Sequence, residues 1–318
     1  MPKPLEPYRC PFSISYEIAA KLSDVTYRLG KLSMIVKTKP GEEEAALAVV
    51  PLLEMMEVNL RNAQIRRLKE GDILPSVPLA NELMKLVKKY RRLEPYNFEF
   101  LTTLENIIFP DGVPVRLSRR AEDFPYPVPM RAKVEDLLNG IFNFVNNASG
   151  KIHPIILASV MYFELVAIAR YRKFNSIFAT IVFKAALVKY DPIFAFTPIE
   201  RYLKNRKEEL DASFAACVEK SDMAPFLSFI LTLIGKAIDS SLTKVDKIPP
   251  VKKPLVNKLL AVMQEGEYYS TLQLCELLGL KSRLGVQLNY IRPALEAKVI
   301  AMSNPGSPND RMQRYYKL

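Results

Sequence analysis

The amino-acid sequence predicts a mainly α-helical protein made of a large helical body and a small C-terminal domain. Apolar residues recur at helical spacing over long stretches, glycine is sparse at 11 residues, and tryptophan is absent. After residue 254 the pattern changes to three short helical segments followed by two strand-like segments. With 318 residues, 49% of them hydrophobic, the chain is long enough for about two domains and for a substantial core.

The first half of the body reads as four helices. In the first of them, Ile18, Val25 and Leu29 fall on one helical face, and the fourth ends at the turn PDG (residues 110–112). The predicted helices cover residues 15–32, 41–69, 77–93 and 94–108. Residues 113–129 contain four prolines and predict a hairpin or an irregular loop.

The second half of the body reads as five further helices that end at a proline-rich linker. They are predicted at residues 131–146, 154–171, 176–190, 198–220 and 224–242. The charged segment KVDKIPPVKKP (residues 244–254) then separates two regions of different pattern. It is therefore the predicted domain boundary.

The C-terminal segment predicts three short helices and a two-stranded wing, the pattern of a winged helix-turn-helix. Ser270 and Gln273 form a capping box that opens the second helix, and Ser282 caps the third. The helices are predicted at residues 255–264, 270–279 and 282–291, and the strands at 298–303 and 312–318. Five apolar residues are assigned to the core of this domain: Leu284, Leu288, Ile291, Leu295 and Ile300.

Charge and cysteine usage indicate where such a protein works. The formal net charge of +11 suits contact with nucleic acid or another anionic surface. Cys10, Cys217 and Cys275 are far apart and form no CxxC pair, which predicts neither a disulfide framework nor a zinc site and favours a reducing compartment. The N-terminus lacks the apolar segment of a signal peptide, and the most apolar stretch, residues 226–234, is shorter than the roughly 20 residues of a membrane span. A cytoplasmic protein without a membrane partner is expected.

Three segments of the chain resemble segments of Fic (Fido) family proteins. HPIILA, which begins at His153, resembles the start of the family's central helix, commonly HPLIKA, and ALVKYD (residues 186–191) resembles LLVKYG after the family's loop. Residues 278–318, which include YIRPALE, resemble the tail of many bacterial Fic proteins. The resemblance implies an N-terminal Fic-associated helical region at 1–95, a Fic-like helical core at 96–243, a linker at 244–254 and a winged helix-turn-helix at 255–318.

Fic proteins transfer AMP from ATP to a hydroxyl group on a protein, and they use the loop HPFxDGNGR. Its histidine is the general base, its acidic residue holds magnesium, its Gly-Asn-Gly backbone binds phosphate and its arginine clamps phosphate. The matching segment here is ARYRKFNSI (residues 169–177). By the resemblance, Ala169 replaces the histidine, Lys173 the acid, Phe174 and Ser176 the glycines, and Ile177 the arginine, while Asn175 is kept. The resemblance thus implies a degenerate loop with no catalytic residue, no metal ligand and no cofactor.

His153 and a group of basic residues are further candidates for a functional role near this loop. His153, the chain's one histidine, lies outside the loop at a predicted helix start, where a structural or capping role is expected. Arg170, Arg172, Lys173 and Asn175 form a candidate anion-binding cluster. In that alternative the protein is a residual nucleotide-binding or AMP-transferring Fic protein that takes ATP and Mg²⁺; otherwise these residues belong to a solvated loop without a ligand.

The C-terminal domain carries the residues predicted to bind DNA. Residues 251–318 contain ten Lys or Arg against five Asp or Glu, a net charge of +5. The candidates on the third helix and the wing are Lys281, Ser282, Arg283, Gln287, Asn289, Arg311 and Arg314. The favoured function is a non-catalytic Fic-like regulator that binds DNA, with a body that forms homodimers or senses a protein partner. A protein-interaction scaffold without enzymatic activity is the second alternative.

Overall fold

The computed structural model of the protein describes residues 13–36, 39–114, 121–122, 128–246, 254–264, 266–296, 299–307, 310 and 312–317. Within these residues it is mainly α-helical with one two-stranded antiparallel sheet, which confirms the predicted fold class. The chain divides into two compact units, residues 1–243 and 244–318. Most of the predicted linker lies outside the described residues, and the further division of the first unit at residue 95 stays a prediction.

Eleven α-helices begin in the described part of the first unit. They are α1 (Tyr16–Ile35), α2 (Glu42–Met55), α3 (Asn62–Glu70), α4 (Pro78–Lys89), α5 (Phe98–Ile108), α6 (Val134–Ala148), α7 (Pro154–Ile168), α8 (Asn175–Tyr190), α9 (Ile199–Asn205), α10 (Lys207–Lys220) and α11 (Ala224–Asp246). Helices α7 and α8 are apolar on almost every face, and they pack against each other more extensively than any other two described elements. A helix that is hydrophobic all round belongs inside a core, so this pair forms the centre of the unit.

Two of the predicted helices are each divided in two. The predicted helix 41–69 consists of α2 and α3, because the chain turns at Glu57, whose φ of +64° lies in the left-handed region. The N–H of Val58 then bonds to the carbonyl of Leu53 at 2.8 Å, which closes the end of α2. A left-handed glutamate gives no sequence signal, since glycine or asparagine usually occupies that position. The predicted helix 198–220 likewise consists of α9 and α10.

Helix α11 is longer than the apolar sequence stretch that it contains. The stretch 226–234 belongs to α11, of which residues 224–243 have the length and composition of a membrane span, the one such helix among the described residues. Its Phe226, Leu227 and Ile230 are fully buried among the residues of the main hydrophobic core. The core helix of a globular protein has the same composition, so the apolar character of α11 is accounted for by this packing.

His153 caps helix α7, which confirms its predicted structural role. Its Nδ1 accepts a hydrogen bond from the N–H of Ile155 at 3.2 Å, and its Nε2 lies 3.4 Å from the hydroxyl of Tyr190. Because Nδ1 is the acceptor, the neutral imidazole carries its proton on Nε2. Burial lowers the pKa of His153 below its ordinary value, which favours this neutral form.

A buried ion pair connects α8 to α9. The Nζ of Lys184 lies 3.2 Å from a carboxylate oxygen of Glu200 and also donates to the carbonyl of Thr197. Both charged side chains are buried, with exposed fractions of 1% and 0%. Burial lowers the pKa of Lys184, and the charge of Glu200 opposes this effect. The pair fixes the position of α9 against the central helices.

The described part of the second unit contains three helical segments and a two-stranded sheet, as predicted. The helical segments are α12 (Pro254–Val262), α13 (Thr271–Leu277) and a third segment composed of α14 (Arg283–Val286), a π-helical turn (Gln287–Ile291) and α15 (Arg292–Glu296). The strands are β1 (Ile300–Met302) and β2 (Tyr315–Lys317). The strands pair antiparallel, with Ala301 opposite Tyr316. The predicted caps are confirmed, since Ser270 and Gln273 form a capping box and the Oγ of Ser282 accepts from the N–H of Gly285 at 3.1 Å.

The core of the second unit differs from the predicted one on its third helical segment. Leu284 and Leu288 were assigned to the core but are 66% and 48% exposed. Val286 and Ala294, which lie outside the predicted core, are buried instead. The π-helical turn is the physical reason: a turn closed between residues five apart places Val286 and Ile291 on one face, whereas regular α-helical spacing would join Leu284 to Leu288. The remaining assignments agree better: Ile291 and Ile300 are buried, and Leu295 packs against the core.

Candidate functional site

The loop between α7 and α8 is held by two residues with left-handed backbone conformations. Ala169, with φ +47°, ends α7 and is fully buried, and its N–H bonds to the carbonyl of Leu165 at 3.3 Å. Phe174, with φ +69°, opens α8. An alanine side chain has no group that accepts a proton, so position 169 supplies no general base.

Asn175, which the resemblance predicts to be the retained residue of the loop, binds the backbone of the preceding residues. Its side chain is buried, its Oδ1 accepts from the N–H of Tyr171 at 2.9 Å, and its Nδ2 donates to the carbonyl of Tyr171 at 3.0 Å. Two hydrogen bonds to one residue four positions earlier fix the curvature of the loop. These contacts give Asn175 a structural task in this loop.

Arg170 is anchored to carboxylates on two neighbouring helices. Its Nε lies 2.8 Å from Glu105 on α5, and its Nη1 pairs with Glu135 on α6. The same Glu105 oxygen accepts from the hydroxyl of Tyr171 at 2.9 Å. Burial by itself lowers the pKa of Arg170, but the hydrogen bonds to Glu105 and Glu135 raise it above its ordinary value. The guanidinium charge is therefore matched by protein carboxylates.

Aromatic rings fill the space beside the loop. Tyr171 packs on Phe178 with ring centroids 4.2 Å apart and on Phe109 at 5.5 Å. Phe174 stacks on Phe109 at 6.1 Å, with the planes 8° apart. A glycine nest that receives phosphate needs backbone open to a ligand. Here Phe174 places an aromatic ring at one of the two positions predicted to replace the glycines.

The remaining two members of the candidate anion-binding cluster lie at the surface. Arg172 pairs with Glu122 at 2.6 Å. Lys173 is exposed, and its ammonium lies 4.8 Å from the centroid of the Phe174 ring. Within the described residues, Lys173 forms no ion pair. The structure therefore does not gather the four predicted residues around one anion.

A cavity of about 430 Å³ lies beside the loop and is within the size range of small-molecule sites. It is lined by Glu54, Met55, Glu57, Glu122, Tyr162, Val166, Lys173, Phe174, Ser176, Ile177, Leu203, Lys204, Lys207, Leu210, Asp211 and Phe214. Two of its three lysines are engaged, since Lys204 pairs with Glu54 at 2.5 Å and Lys207 with Asp211 at 2.7 Å. With four carboxylates against three ammonium groups, the lining disfavours a polyphosphate.

The candidate DNA-binding residues of the third helical segment share solvent exposure. Lys281, Ser282, Arg283, Gln287 and Asn289 are all exposed. Ser282 uses its hydroxyl as the cap of α14, which leaves the others to meet a ligand.

One of the two candidate DNA-binding residues of the wing lies within the described residues. Arg314 is half-buried, and its Nη1 donates to the carbonyls of Met312 and Gln313 at 3.4 and 3.3 Å. Arg311 lies outside the described residues.

Sequence reasoning missed the acidic partners of the loop and the exposed leucines. Glu105 precedes Arg170 by 65 positions, and nothing local in the sequence pairs them. Leu284 and Leu288 fit a regular helical stripe, so their exposure carried no sequence signal.

The comparisons with known proteins agree on the fold. Residues 254–318 match the family described as "Filamentation induced by cAMP protein Fic-like, C-terminal domain". The structure is similar to that of a Fic family protein from Desulfovibrio desulfuricans G20, with a TM-score of 0.66 and 19% identity over 98% of both chains. It is also similar to Fic-1 (residues 134–508) from C. elegans, with a TM-score of 0.53 and 15% identity over 72% of this chain and 73% of that one. None of the curated proteins compared with the chain matches it.

Proposed function

From a chain that has the fold of Fic family proteins and ends in a Fic-like C-terminal domain, we infer a catalytically degenerate protein that acts as a DNA-binding regulator. Its C-terminal unit would serve as a winged helix that contacts DNA, while the helical body forms homodimers or senses a protein partner. Such a regulator works in the cytoplasm, without a membrane partner and without a cofactor.

The residues of the loop between α7 and α8 are the observation that supports the proposed loss of catalysis. A buried alanine occupies the position of the base, and a lysine, which repels Mg²⁺, occupies that of the metal ligand. The position of the phosphate clamp holds Ile177, which is buried. Loss of a general base alone costs about 10²–10⁴ in rate. We therefore expect no AMP transfer to protein hydroxyls.

The DNA contact is supported by charge and exposure on the third helical segment. Lys281 and Arg283 stand at the start of α14, where positive side chains meet phosphates, and Gln287 follows one turn later. Arginine and glutamine are the residues that pair with guanine and adenine edges in the major groove. The net charge of +5 over residues 251–318 adds the attraction to a polyanion.

Selection from random duplex DNA by the full-length protein, at two salt concentrations, tests this function. We expect an enriched motif, weaker binding at higher salt, and a salt slope that falls by about two when Lys281 and Arg283 are both changed to alanine. The matched control, Arg66→Ala with Lys89→Ala, removes the same charge from exposed positions of the first unit and should leave binding unchanged. Absence of any enriched motif would overturn the proposal.

The nucleotide-binding alternative rests on Lys173, which lines the 430 Å³ cavity. It predicts heat on titration with millimolar ATP, larger with Mg²⁺, and loss of that heat in Lys173→Ala. We expect no heat with or without Mg²⁺, because the other predicted phosphate ligands are bound to protein groups. The scaffold alternative is favoured by the exposed leucines of the second unit and predicts a stable protein complex from native cells.

A further inference from the structure

Two exposed leucines lie among the candidate DNA-reading side chains. Leu284 and Leu288 are 66% and 48% exposed, and they are four residues apart on the third helical segment. Arg283 and Gln287, also four apart, are the exposed residues directly before them. Residues three or four apart on a helix are surface neighbours. These four residues therefore form one stripe, called here the 283–288 stripe, in which each polar side chain has an apolar neighbour.

The fold turns this stripe away from the core. Val286 and Ile291 are buried, and together with Ala294 they make the inward face of the segment. The π-helical turn begins directly after Val286 and ends at Ile291, and Leu284 and Leu288 lie on the exposed side of the segment. π-helical turns are rare and occur often at functional sites. The exposure of the two leucines is thus built into the backbone.

We propose that Leu284 and Leu288 are specificity-determining residues that contact thymine 5-methyl groups in the major groove of DNA. This inference rests on the proposed DNA-binding function and names what the stripe recognises. The thymine methyl is the one apolar group that a base pair presents in the major groove. An exposed leucine cannot contact phosphate favourably, so its complement on DNA is that methyl.

The charges beside the leucines favour DNA as the occupant of the stripe. Lys281 and Arg283 bracket the start of the segment, and within the described residues neither forms an ion pair with a carboxylate. A cationic rim around an apolar centre is complementary to phosphates that flank a row of base edges. Gln287 is the neighbour of Leu288, and glutamine pairs with adenine. An A·T pair therefore offers a contact to each side chain: the adenine edge to Gln287 and the thymine methyl to Leu288.

A protein partner is the competing occupant. Leu277 and Leu280, which precede the segment, are 50% and 37% exposed and would enlarge an apolar patch. A stable protein interface buries roughly 800 Å² on each partner and is depleted of lysine at its centre. Lys281, which lies next to the start of the 283–288 stripe, fits that description poorly.

The test measures methyl dependence on the duplex enriched by the full-length protein. Each thymine of the motif is replaced in turn by deoxyuridine, which removes the methyl and changes no hydrogen bond. We expect one or two replacements to weaken wild-type binding about three- to tenfold, as removal of a buried methyl group implies. The variant Leu284→Ala with Leu288→Ala should bind the thymine and uracil duplexes equally. Leu272→Ala, an exposed leucine on α13, is the control and should retain the discrimination.

The possible outcomes distinguish failure of the methyl contact from failure of the proposed DNA-binding function. If wild-type protein binds the thymine and uracil duplexes equally, the methyl contact is overturned while DNA binding stands. If no duplex is enriched, the proposed function fails as well. If the double leucine variant changes the sedimentation of the protein but not its DNA discrimination, the stripe is a protein interface and the inference is overturned. Circular dichroism of both variants confirms that they fold.

Discussion

At the scale of single residues, the loop between α7 and α8 is stabilised by hydrogen bonds and ion pairs within the protein. Glu105 binds both the guanidinium of Arg170 and the hydroxyl of Tyr171, and Asn175 holds the backbone of Tyr171. The loop therefore depends on internal contacts for its shape, and its contribution to stability is measurable without any ligand.

Changing Glu105 to glutamine should destabilise the protein by about 1.5–3 kcal/mol, because a hydrogen-bonded charge beside the partly buried Arg170 is lost. The matched control is Glu122→Gln, whose ion pair with Arg172 is exposed on both sides and should cost no more than about 1 kcal/mol. Urea unfolding followed by circular dichroism at 222 nm measures both. Equal effects of the two changes would contradict the anchoring role of Glu105.

His153 makes the stability of α7 depend on pH. Since burial lowers its folded-state pKa below the unfolded value near 6.5, the unfolded chain binds more protons in the window just below pH 6.5. The contribution of neutral His153 is therefore complete above that window and is lost as pH falls through it. Protonation also removes the Nδ1 acceptor that caps Ile155. His153→Asn keeps a capping oxygen without titrating, so the difference in melting temperature between the two proteins should shrink or reverse from pH 7.5 to 5.5. A constant difference would rule out this linkage.

The sequence located the loop between two helices but did not reveal the partners that its side chains bind. Ala169, Lys173 and Ile177 were identified from their positions in the loop, and the cap at His153 followed from its place before a proline at a helix start. The carboxylate of Glu105 could not be predicted, because it reaches Arg170 through tertiary packing over 65 positions. A local sequence pattern predicts contacts between residues that are close in the sequence, whereas Arg170 and Glu105 are far apart in it.

At the scale of helices and strands, the predictions failed where the backbone leaves regular geometry. Glu57 ends α2 in a left-handed conformation, and the π-helical turn at 287–291 re-registers the third segment of the second unit. Both irregularities occur within sequences of regular helical periodicity, so the periodicity alone predicts a continuous helix through each of them. Elements bounded by capping residues, such as the one opened by Ser270, were located within a residue or two.

Removing one partner of the ion pair between α8 and α9 should destabilise the protein strongly, whereas replacing both partners with apolar residues should destabilise it little. Lys184→Met leaves Glu200 charged and buried without its partner and should cost roughly 3–5 kcal/mol, whereas Lys184→Met with Glu200→Leu removes both charges and should recover most of that loss. A double-mutant cycle by urea unfolding, with Glu200→Leu as the other single variant, gives the coupling. The interpretation fails if the double variant is as unstable as the sum of the singles.

At the scale of the whole molecule, two hydrophobic cores divide the chain. The first unit holds one large cluster centred on α7 and α8, and the second unit holds a separate small cluster that includes Val256, Leu274 and Ile291. The two clusters share no residue. Two clusters without a shared residue let each unit hold its own fold.

Separate cores predict separate folding. Residues 1–246 and 254–318, expressed apart, should each give a cooperative unfolding transition, and the smaller piece should show a lower urea m-value because it exposes less surface. Its small core places the 254–318 piece near the lower size limit for independent folding, so its transition should also come at lower urea. Circular dichroism suits this measurement because the chain has no tryptophan. If the smaller piece is unfolded when expressed alone, its own core is not sufficient to hold it folded, and the prediction of separate folding is wrong.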